Sequence, residues 1–233
     1  HLETTSGLVN PIDEIGEVAF RFQKQYIVDA MASFGGMAMD IEHSRVDWLI
    51  SSANKCLEGV PGFTFVLARL SCLEKCAGYA RSLSLDLYDQ WEYYRRVGQF
   101  RFTPPVQALL AFHQALLELD AEGGVKARAA RYGANYQALI TAMRSMGFSE
   151  YVAPENQGSI ITTFRYPEDP AFDFDVFYRR LSRRGVDIYS GKVAEGACFR
   201  IGNIGRIFPE DVENLMTIIR EVLEKMGVSV PVK

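Results

Sequence analysis

Cysteine and histidine are scarce in this chain, with four of the first and three of the second among 233 residues. Cys72 and Cys76 lie four apart and so share one face of a helix, but His1, His43 and His113 are scattered. A metal centre would need more ligands at short spacing. Free, partly buried thiols of a cytoplasmic protein are the expectation for Cys56, Cys72, Cys76 and Cys198. No apolar run approaches the ~20 residues of a membrane helix, so no membrane partner is expected. No basic stripe is present either. The net charge is −4 and the pI near 5.5, which argues against nucleic acid as a partner. Gly35-Gly36 is not a dinucleotide fingerprint, and no glycine-rich loop runs into Lys-Ser or Lys-Thr. A Gly-x-Ser-x-Gly nucleophile elbow is missing too. There is no internal repeat and no low-complexity tract, and the chain begins His1-Leu2-Glu3 with no initiator methionine and no signal peptide, as a fragment or processed sequence would.

What is present is a chain able to bury a core. Hydrophobic residues make up 48% of it, and its length suits one large domain or two smaller ones. Residues 10–23 read as a helix, with Asn10 as N-cap, Pro11 in the first helical position, and Asp13 and Glu14 in the first turn. Short apolar runs at 25–29, 47–50 and 63–67 read as strands, and the alternation of strand and helix argues for a mostly parallel sheet. Residues 71–79 and 86–96 read as helices. Pro104-Pro105 then ends regular structure and allows a new helix to begin.

Further on, residues 106–121 and 125–146 read as long helices separated by Gly123-Gly124. The first places Leu109, Leu110, Phe112, Leu116 and Leu117 close to one stripe, which is core or dimer surface. Strands are expected at 159–166, 186–189 and 198–201. Helices are expected at 174–184, closed by Gly185, and at 210–226 after Pro209. The first hundred residues read as α/β and the rest as α+β.

Lys55, in Ser51-Ser52-Ala53-Asn54-Lys55, is the most informative residue. A lysine between two buried strands is costly unless it is paired or used covalently. An imine with an aldehyde cofactor is one such use. Asp29 ends the apolar run Gln25-Tyr26-Ile27-Val28. A pyridoxal phosphate site needs both a Schiff-base lysine and an acid facing the pyridinium nitrogen. The plainer alternatives are a solvated lysine at a strand end and an aspartate acting as a cap.

Three further segments carry candidates. Arg200, in Phe199-Arg200-Ile201-Gly202-Asn203-Ile204-Gly205, is one arginine in a short apolar strand. Its planar fork suits a carboxylate or phosphonate, or else an internal salt bridge. Thr103, in Arg101-Phe102-Thr103, suits a phosphate contact near a helix start, or else a simple N-cap. Thr4-Thr5-Ser6-Gly7, following what reads as the end of a strand, either lines a cofactor pocket or is a solvated turn.

At these residues the sequence resembles the class V, fold-type I aminotransferases that use pyridoxal phosphate. The likeness runs through Glu3-Thr4-Thr5-Ser6-Gly7, the segment from Val28-Asp29 to Gly35-Gly36, and Ser51-Ser52-Ala53-Asn54-Lys55-Cys56. It continues through Arg81-Ser82-Leu83-Ser84-Leu85-Asp86-Leu87-Tyr88-Asp89-Gln90-Trp91, Arg101-Phe102-Thr103-Pro104-Pro105, Gly191-Lys192 and the Arg200 segment. The Leu-Ser-Leu-Asp-Leu-Tyr-Asp-Gln-Trp and Arg-Ile-Gly-Asn-Ile-Gly runs point to a branch that passes the amino group of 2-aminoethylphosphonate to pyruvate, giving phosphonoacetaldehyde and L-alanine. Alanine–glyoxylate or serine–pyruvate aminotransferases share Asp, Lys and Arg and are the alternative; a truncated, non-catalytic chain is another.

The resemblance implies roles. Lys55 would bond the cofactor covalently and then act as the base of the 1,3-proton shift. Asp29 would keep the pyridinium protonated. Thr4, Ser6 and Asn54 would lie near the cofactor. Thr103 would reach the cofactor phosphate of a neighbouring subunit, which implies a homodimer with shared sites. Arg200 would bind the substrate carboxylate. Residues 1–103 would be the C-terminal part of the large cofactor-binding domain, and residues 104–233 the small domain. Members of the family carry a further N-terminal portion with a glycine-containing phosphate turn and an aromatic residue that stacks on the ring. The expectation is therefore that this chain alone binds cofactor poorly and is inactive.

Overall fold

The computed structural model describes residues 1–191, 193 and 196–232, so Lys192 of the Gly191-Lys192 pair lies outside the described residues. Two compact units divide the chain. One comprises Pro11–Phe34 and Met39–Leu119, and the other His1–Asn10, Gly35–Ala38 and Asp120–Lys233. We call them the Lys55 unit and the Arg200 unit. The division falls inside a helix at 119/120 rather than at the expected 103/104, and it takes the first ten residues with the C-terminal part.

In the Lys55 unit, helix α1 (Ile12–Arg21) precedes strand β1 (Ile27–Asp29). Asn10 does not cap α1; Pro11 occupies the N-cap position with no side-chain hydrogen bond, and the amide of Asn10 donates to the His1 carbonyl instead. Strands β2 (Trp48–Ser52) and β3 (Thr64–Ala68) complete a sheet of order β1-β2-β3. β1 and β2 are parallel, as the strand–helix alternation predicts, but β3 runs antiparallel to β2. The reason is local. The link from Ser52 to Thr64 contains no helix, and a parallel neighbour requires a long crossover.

Val28, Ala30, Val46 and Leu49 pack with Ile12 as the small core beneath this sheet. A short helix α2 (Leu70–Leu73) runs into a 3-10 turn at Glu74–Cys76, where a longer helix is predicted. The Cys76 thiol donates to the Cys72 carbonyl, and among the described residues no His, Cys, Asp and Glu cluster could hold a metal. Helix α3 (Leu87–Val97) is capped by the Asp86 carboxylate on the Asp89 amide and ends at Gly98 in the left-handed region, yet it buries none of its residues.

Helix α4 (Val106–Glu122) runs from one unit into the other. Its buried stripe is Ala108, Ala115 and Leu119, with Phe112 half-buried, whereas Leu110, Leu116 and Leu117 are exposed. The bulky stripe expected from the sequence is thus turned outward, because small alanines line the packed face. Gly62, whose added Cβ would come within 2.7 Å of the Ala108 methyl, shows how close that face is approached.

The Arg200 unit has a second sheet, β4-β6-β5, all antiparallel: β4 (Ile161–Arg165), β5 (Tyr189–Ser190) and β6 (Cys198–Gly202). Helices α5 (Gly124–Ser145), α6 (Phe174–Ser182) and α7 (Pro209–Met226) accompany it. Phe199 is fully buried, with the rings of Phe148, Phe164 and Phe177 at 5.6–5.8 Å between centroids. α7 starts as predicted with Pro209 in its first turn, and the Asp211 carboxylate accepts from the Phe208 amide. Gly185 follows α6 with φ +77, as foreseen for a residue closing a helix.

At the join of α4 and α5 the Glu122 carboxylate accepts from Arg128, which is 2% exposed, and from Arg131. The Arg131 hydrogen bond, with Arg128 behind it, holds the Glu122 carboxyl down at about 2.

No helix among the described residues is long and apolar enough to cross a membrane.

Candidate active site

Asp29 and Lys55 leave the carboxyl ends of two adjacent parallel strands. Asp29 pairs with Ile50 in the register, so it stands beside the strand that runs out towards Lys55. Such carboxyl ends are where open α/β sheets bind ligands. The Asp29 carboxylate accepts from the Met31 amide at 2.9 Å, an Asx turn that fixes its orientation at the strand end.

Lys55 lies in a tight turn. The Gly59 amide donates to the Ala53 carbonyl at 2.8 Å, and the Glu58 amide donates to the Lys55 carbonyl at 2.8 Å. A Cβ on Gly59 would stand 2.8 Å from that Ala53 carbonyl, so only glycine closes the turn without displacing it. The side chains of Asn54 and Lys55 are exposed, and among the described residues Lys55 makes no ion pair. A buried amine between strands, the expectation from the flanking apolar runs, is thus not what the fold makes. The backbone is held and the side chain is presented outward.

Two residues that the sequence did not flag tie Lys55 to Asp29. The Ser51 hydroxyl donates to the Ala30 carbonyl at 3.2 Å, and the Cys56 thiol donates to the Ala32 carbonyl at 3.0 Å. Both donors are buried, and both acceptors lie in the loop that follows Asp29. They flank Lys55 on either side, so the lysine turn and the aspartate turn are fixed as one body. The only sequence signal was small polar residues next to a lysine. Ser52, 4% exposed, has no hydrogen-bond partner for its hydroxyl oxygen among the described residues, at the end of β2.

Thr103, in the same unit, is exposed just before Pro104. Its neighbour Arg101 bonds the Leu83 carbonyl and the Asp89 carboxylate at 3.2 Å. Among the described residues Thr103 makes no side-chain hydrogen bond to α4, so the N-cap alternative does not describe it.

In the Arg200 unit, residues 3–7 form a turn, flanked by a bridge between Leu2 and Val9. The Gly7 amide returns to the Glu3 carbonyl, and the Glu3 carboxylate accepts from the amide and hydroxyl of Thr5. Those hydrogen bonds hold the Glu3 carboxyl below its ordinary range. The Ser6 hydroxyl oxygen accepts from the Leu8 amide at 3.2 Å, and Thr4 is exposed. Gly7, at φ +93, is packed so tightly under Gln157 and the Ile161 carbonyl that a Cβ would sit 2.6 Å from each.

The turn is joined to Arg200 directly. Arg200 Nη1 donates to the Thr4 carbonyl at 2.8 Å and Nε to the Ser190 carbonyl at 3.2 Å. The internal salt bridge that the sequence left open is not formed among the described residues.

The chain matches the family model for Aminotransferase class-V over residues 1–203. It is 53% identical over 224 residues to 2-aminoethylphosphonate–pyruvate transaminases of Salmonella typhimurium (strain LT2) and Salmonella heidelberg (strain SL476), a match covering 96% of this chain. It spans 61% of the length of those relatives. Among solved structures, pyridoxamine–pyruvate aminotransferase from Mesorhizobium loti superposes with a TM-score of 0.88 at 28% identity, covering 99% of this chain and 60% of that one. Ureidoglycine–glyoxylate aminotransferase from Bacillus subtilis gives 0.85 at 23% identity over 99% and 60%, a likeness of fold alone. The α/β architecture is therefore a partial fold-type I transferase, and the chain belongs to the class-V aminotransferases, a family dependent on pyridoxal phosphate.

Proposed function

We propose that this chain carries the catalytic lysine of a transaminase that passes the amino group of 2-aminoethylphosphonate to pyruvate, yielding phosphonoacetaldehyde and L-alanine. The observation that carries the reading is the Lys55–Asp29 pair, an exposed amine and an oriented carboxylate at the ends of neighbouring parallel strands. The identity to phosphonate transaminases supports the choice of substrates. The donor set suits pyridoxal phosphate: an amine outside any ion pair among the described residues, and an acid held by a backbone amide.

Pyridoxal phosphate, when bound, supplies an aldehyde carbon and an electron-accepting ring. Lys55 would hold the group through Nζ and would serve as the base that takes and returns the proton of the transfer. Asp29 holds a proton at the ring nitrogen by its negative charge. Asn54 would lie alongside the cofactor; by the family likeness Thr4 and Ser6 are assigned further cofactor contacts, and Arg200 the carboxylate of pyruvate or alanine. We assign the Lys55 unit to the cofactor-binding large domain and the Arg200 unit to the small domain.

We further propose that two copies of the chain associate, with Thr103 reaching the phosphate of the partner's cofactor. Helix α3 buries nothing of its own, and Leu83, Leu85, Tyr94, Val97, Phe100 and Phe102 around it are exposed. So large a set of apolar side chains is unusual on a free surface.

Borohydride reduction after pyridoxal phosphate addition, followed by peptide mapping, tests the lysine. One adduct on Lys55, lost in Lys55→Ala, is expected; adducts scattered over surface lysines would sink the assignment. Amino-donor assays then test the substrate. Turnover with 2-aminoethylphosphonate is expected, and serine as the sole good donor would move the enzyme to the serine–pyruvate or alanine–glyoxylate group.

A further inference from the structure

Arg200 has five N–H hydrogens. Nε spends its hydrogen on the Ser190 carbonyl, and Nη1 spends one on the Thr4 carbonyl. The nearby acid, Glu3, feels the charge of Arg200, but its oxygens are engaged by Thr5 and no close ion pair with Arg200 forms among the described residues. Among the described residues, one hydrogen on Nη1 and both on Nη2 have no acceptor. A guanidinium holds a carboxylate bidentately along either its Nε–Nη2 or its Nη1–Nη2 edge. With Nε taken, the Nη1–Nη2 edge is the one left.

Tyr189 faces Arg200 directly across the β5–β6 ladder. The Arg200 Cζ lies 5.6 Å from the centre of its ring, within range of a cation–π attraction. Tyr189 is 62% exposed and belongs to no core cluster, so core packing does not account for an aromatic side chain there.

We propose that Tyr189 is a positioning residue for Arg200: its ring covers one face of the guanidinium and, with the Thr4 and Ser190 carbonyls, fixes the plane in which the Nη1–Nη2 edge meets the carboxylate of a small 2-oxo acid. The inference rests on the reading of Arg200 as the carboxylate site and adds what aims it. Each contact constrains a different freedom. The two carbonyls fix rotation within the guanidinium plane, and the ring limits tilt out of it. Thr4 acts in this arrangement through its backbone oxygen, so its hydroxyl is left for other contacts.

The test compares Tyr189→Phe, Tyr189→Leu and Arg200→Ala in the full enzyme loaded with pyridoxal phosphate, reading KM for pyruvate, kcat, and the thermal midpoint. Tyr189→Leu keeps bulk but loses the ring face, and it is expected to raise KM for pyruvate about three- to fivefold, the size of an exposed cation–π contact. The expected kcat and thermal midpoint are unchanged, and Tyr189→Phe restores KM to within about twofold of the parent. The Arg200 Nε–H resonance in a ¹⁵N spectrum gives a readout independent of turnover, broadening in Tyr189→Leu and staying sharp in Tyr189→Phe. An unchanged KM in Tyr189→Leu overturns the proposal, as does a loss of kcat matched by a loss of thermal stability. If Arg200→Ala leaves KM for pyruvate unaltered, the carboxylate role of Arg200 is what fails.

Discussion

The two units are built to different standards of completeness. The Arg200 unit wraps one continuous core in which α5, α6 and α7 close over β4–β6, with Phe199 at the centre of an aromatic cluster. The Lys55 unit has a small core of Ile12, Val28, Ala30, Val46 and Leu49, and it carries most of the exposed large apolar side chains of the chain. Its polar work is correspondingly delicate, since single hydrogen bonds from Ser51 and Cys56 fix the lysine turn. The strand that carries Arg200 is thus anchored by a large aromatic core, whereas the Lys55 turn is anchored by a few buried small residues and the hydrogen bonds of Ser51 and Cys56.

The largest expected break is in the aromatic core. Phe199→Ala should cost about 3–5 kcal/mol, read by urea unfolding, because the rings around it cannot collapse into the space. Leu49→Ala in the smaller core should fall at the low end of its class, about 2–3 kcal/mol. Equal losses from the two substitutions would erase the contrast.

Next comes the ion pair at the α4–α5 join. The folded Glu122 pKa of about 2 lies below its ordinary 4.5, so its stabilisation is fully present above pH 4.5 and is lost as the pH falls through that interval towards 2. Glu122→Gln should flatten the stability-versus-pH curve over that window and leave Arg128 buried without its counter-charge. An unaltered acid limb in the variant would refute the assignment.

The smallest effects are the helix caps. Asp173→Ala, which frees the Val176 amide of α6, and Asp86→Ala, which frees the Asp89 amide of α3, should each cost about 1 kcal/mol of local helix stability. Hydrogen exchange should register the first as a change in global stability, because α6 is packed on the core through Phe177 and Leu181. In the separated chain the second should appear as fraying of α3 alone, because that helix buries nothing of its own. In the associated pair the dimer reading requires global destabilisation by Asp86→Ala.

Much of this architecture is legible in the residues. Pro209 and the acids after it start α7, Gly185 follows α6, and Gly123-Gly124 parts α4 from α5 where the left-handed φ values of +106 and +75 fall. Local signals suffice there because caps and glycine turns act over a few residues. The direction of β3 and the facing of α4 were not legible. Strand polarity depends on what the connection can span, and the α4 stripe depends on which neighbours come close enough to prefer alanine to leucine. The alternation of apolar residues is the same whichever way a strand runs.

The same division holds at the site. The sequence by itself determined which reactive groups the chain offers: an amine at 55, a carboxylate at 29, a guanidinium at 200, and a hydroxyl-rich turn at 4–6. Chemical identity is a property of the side chain and needs no neighbours. Only the tertiary structure decided what surrounds them. It exposed Lys55 rather than burying it, set Asp29 beside the strand that leads to it, and joined Thr4 to Arg200 across 196 positions of sequence. Those contacts are non-local. Their residues meet only after strands far apart in the chain have paired, and sheet pairing leaves no mark at the residues it brings together.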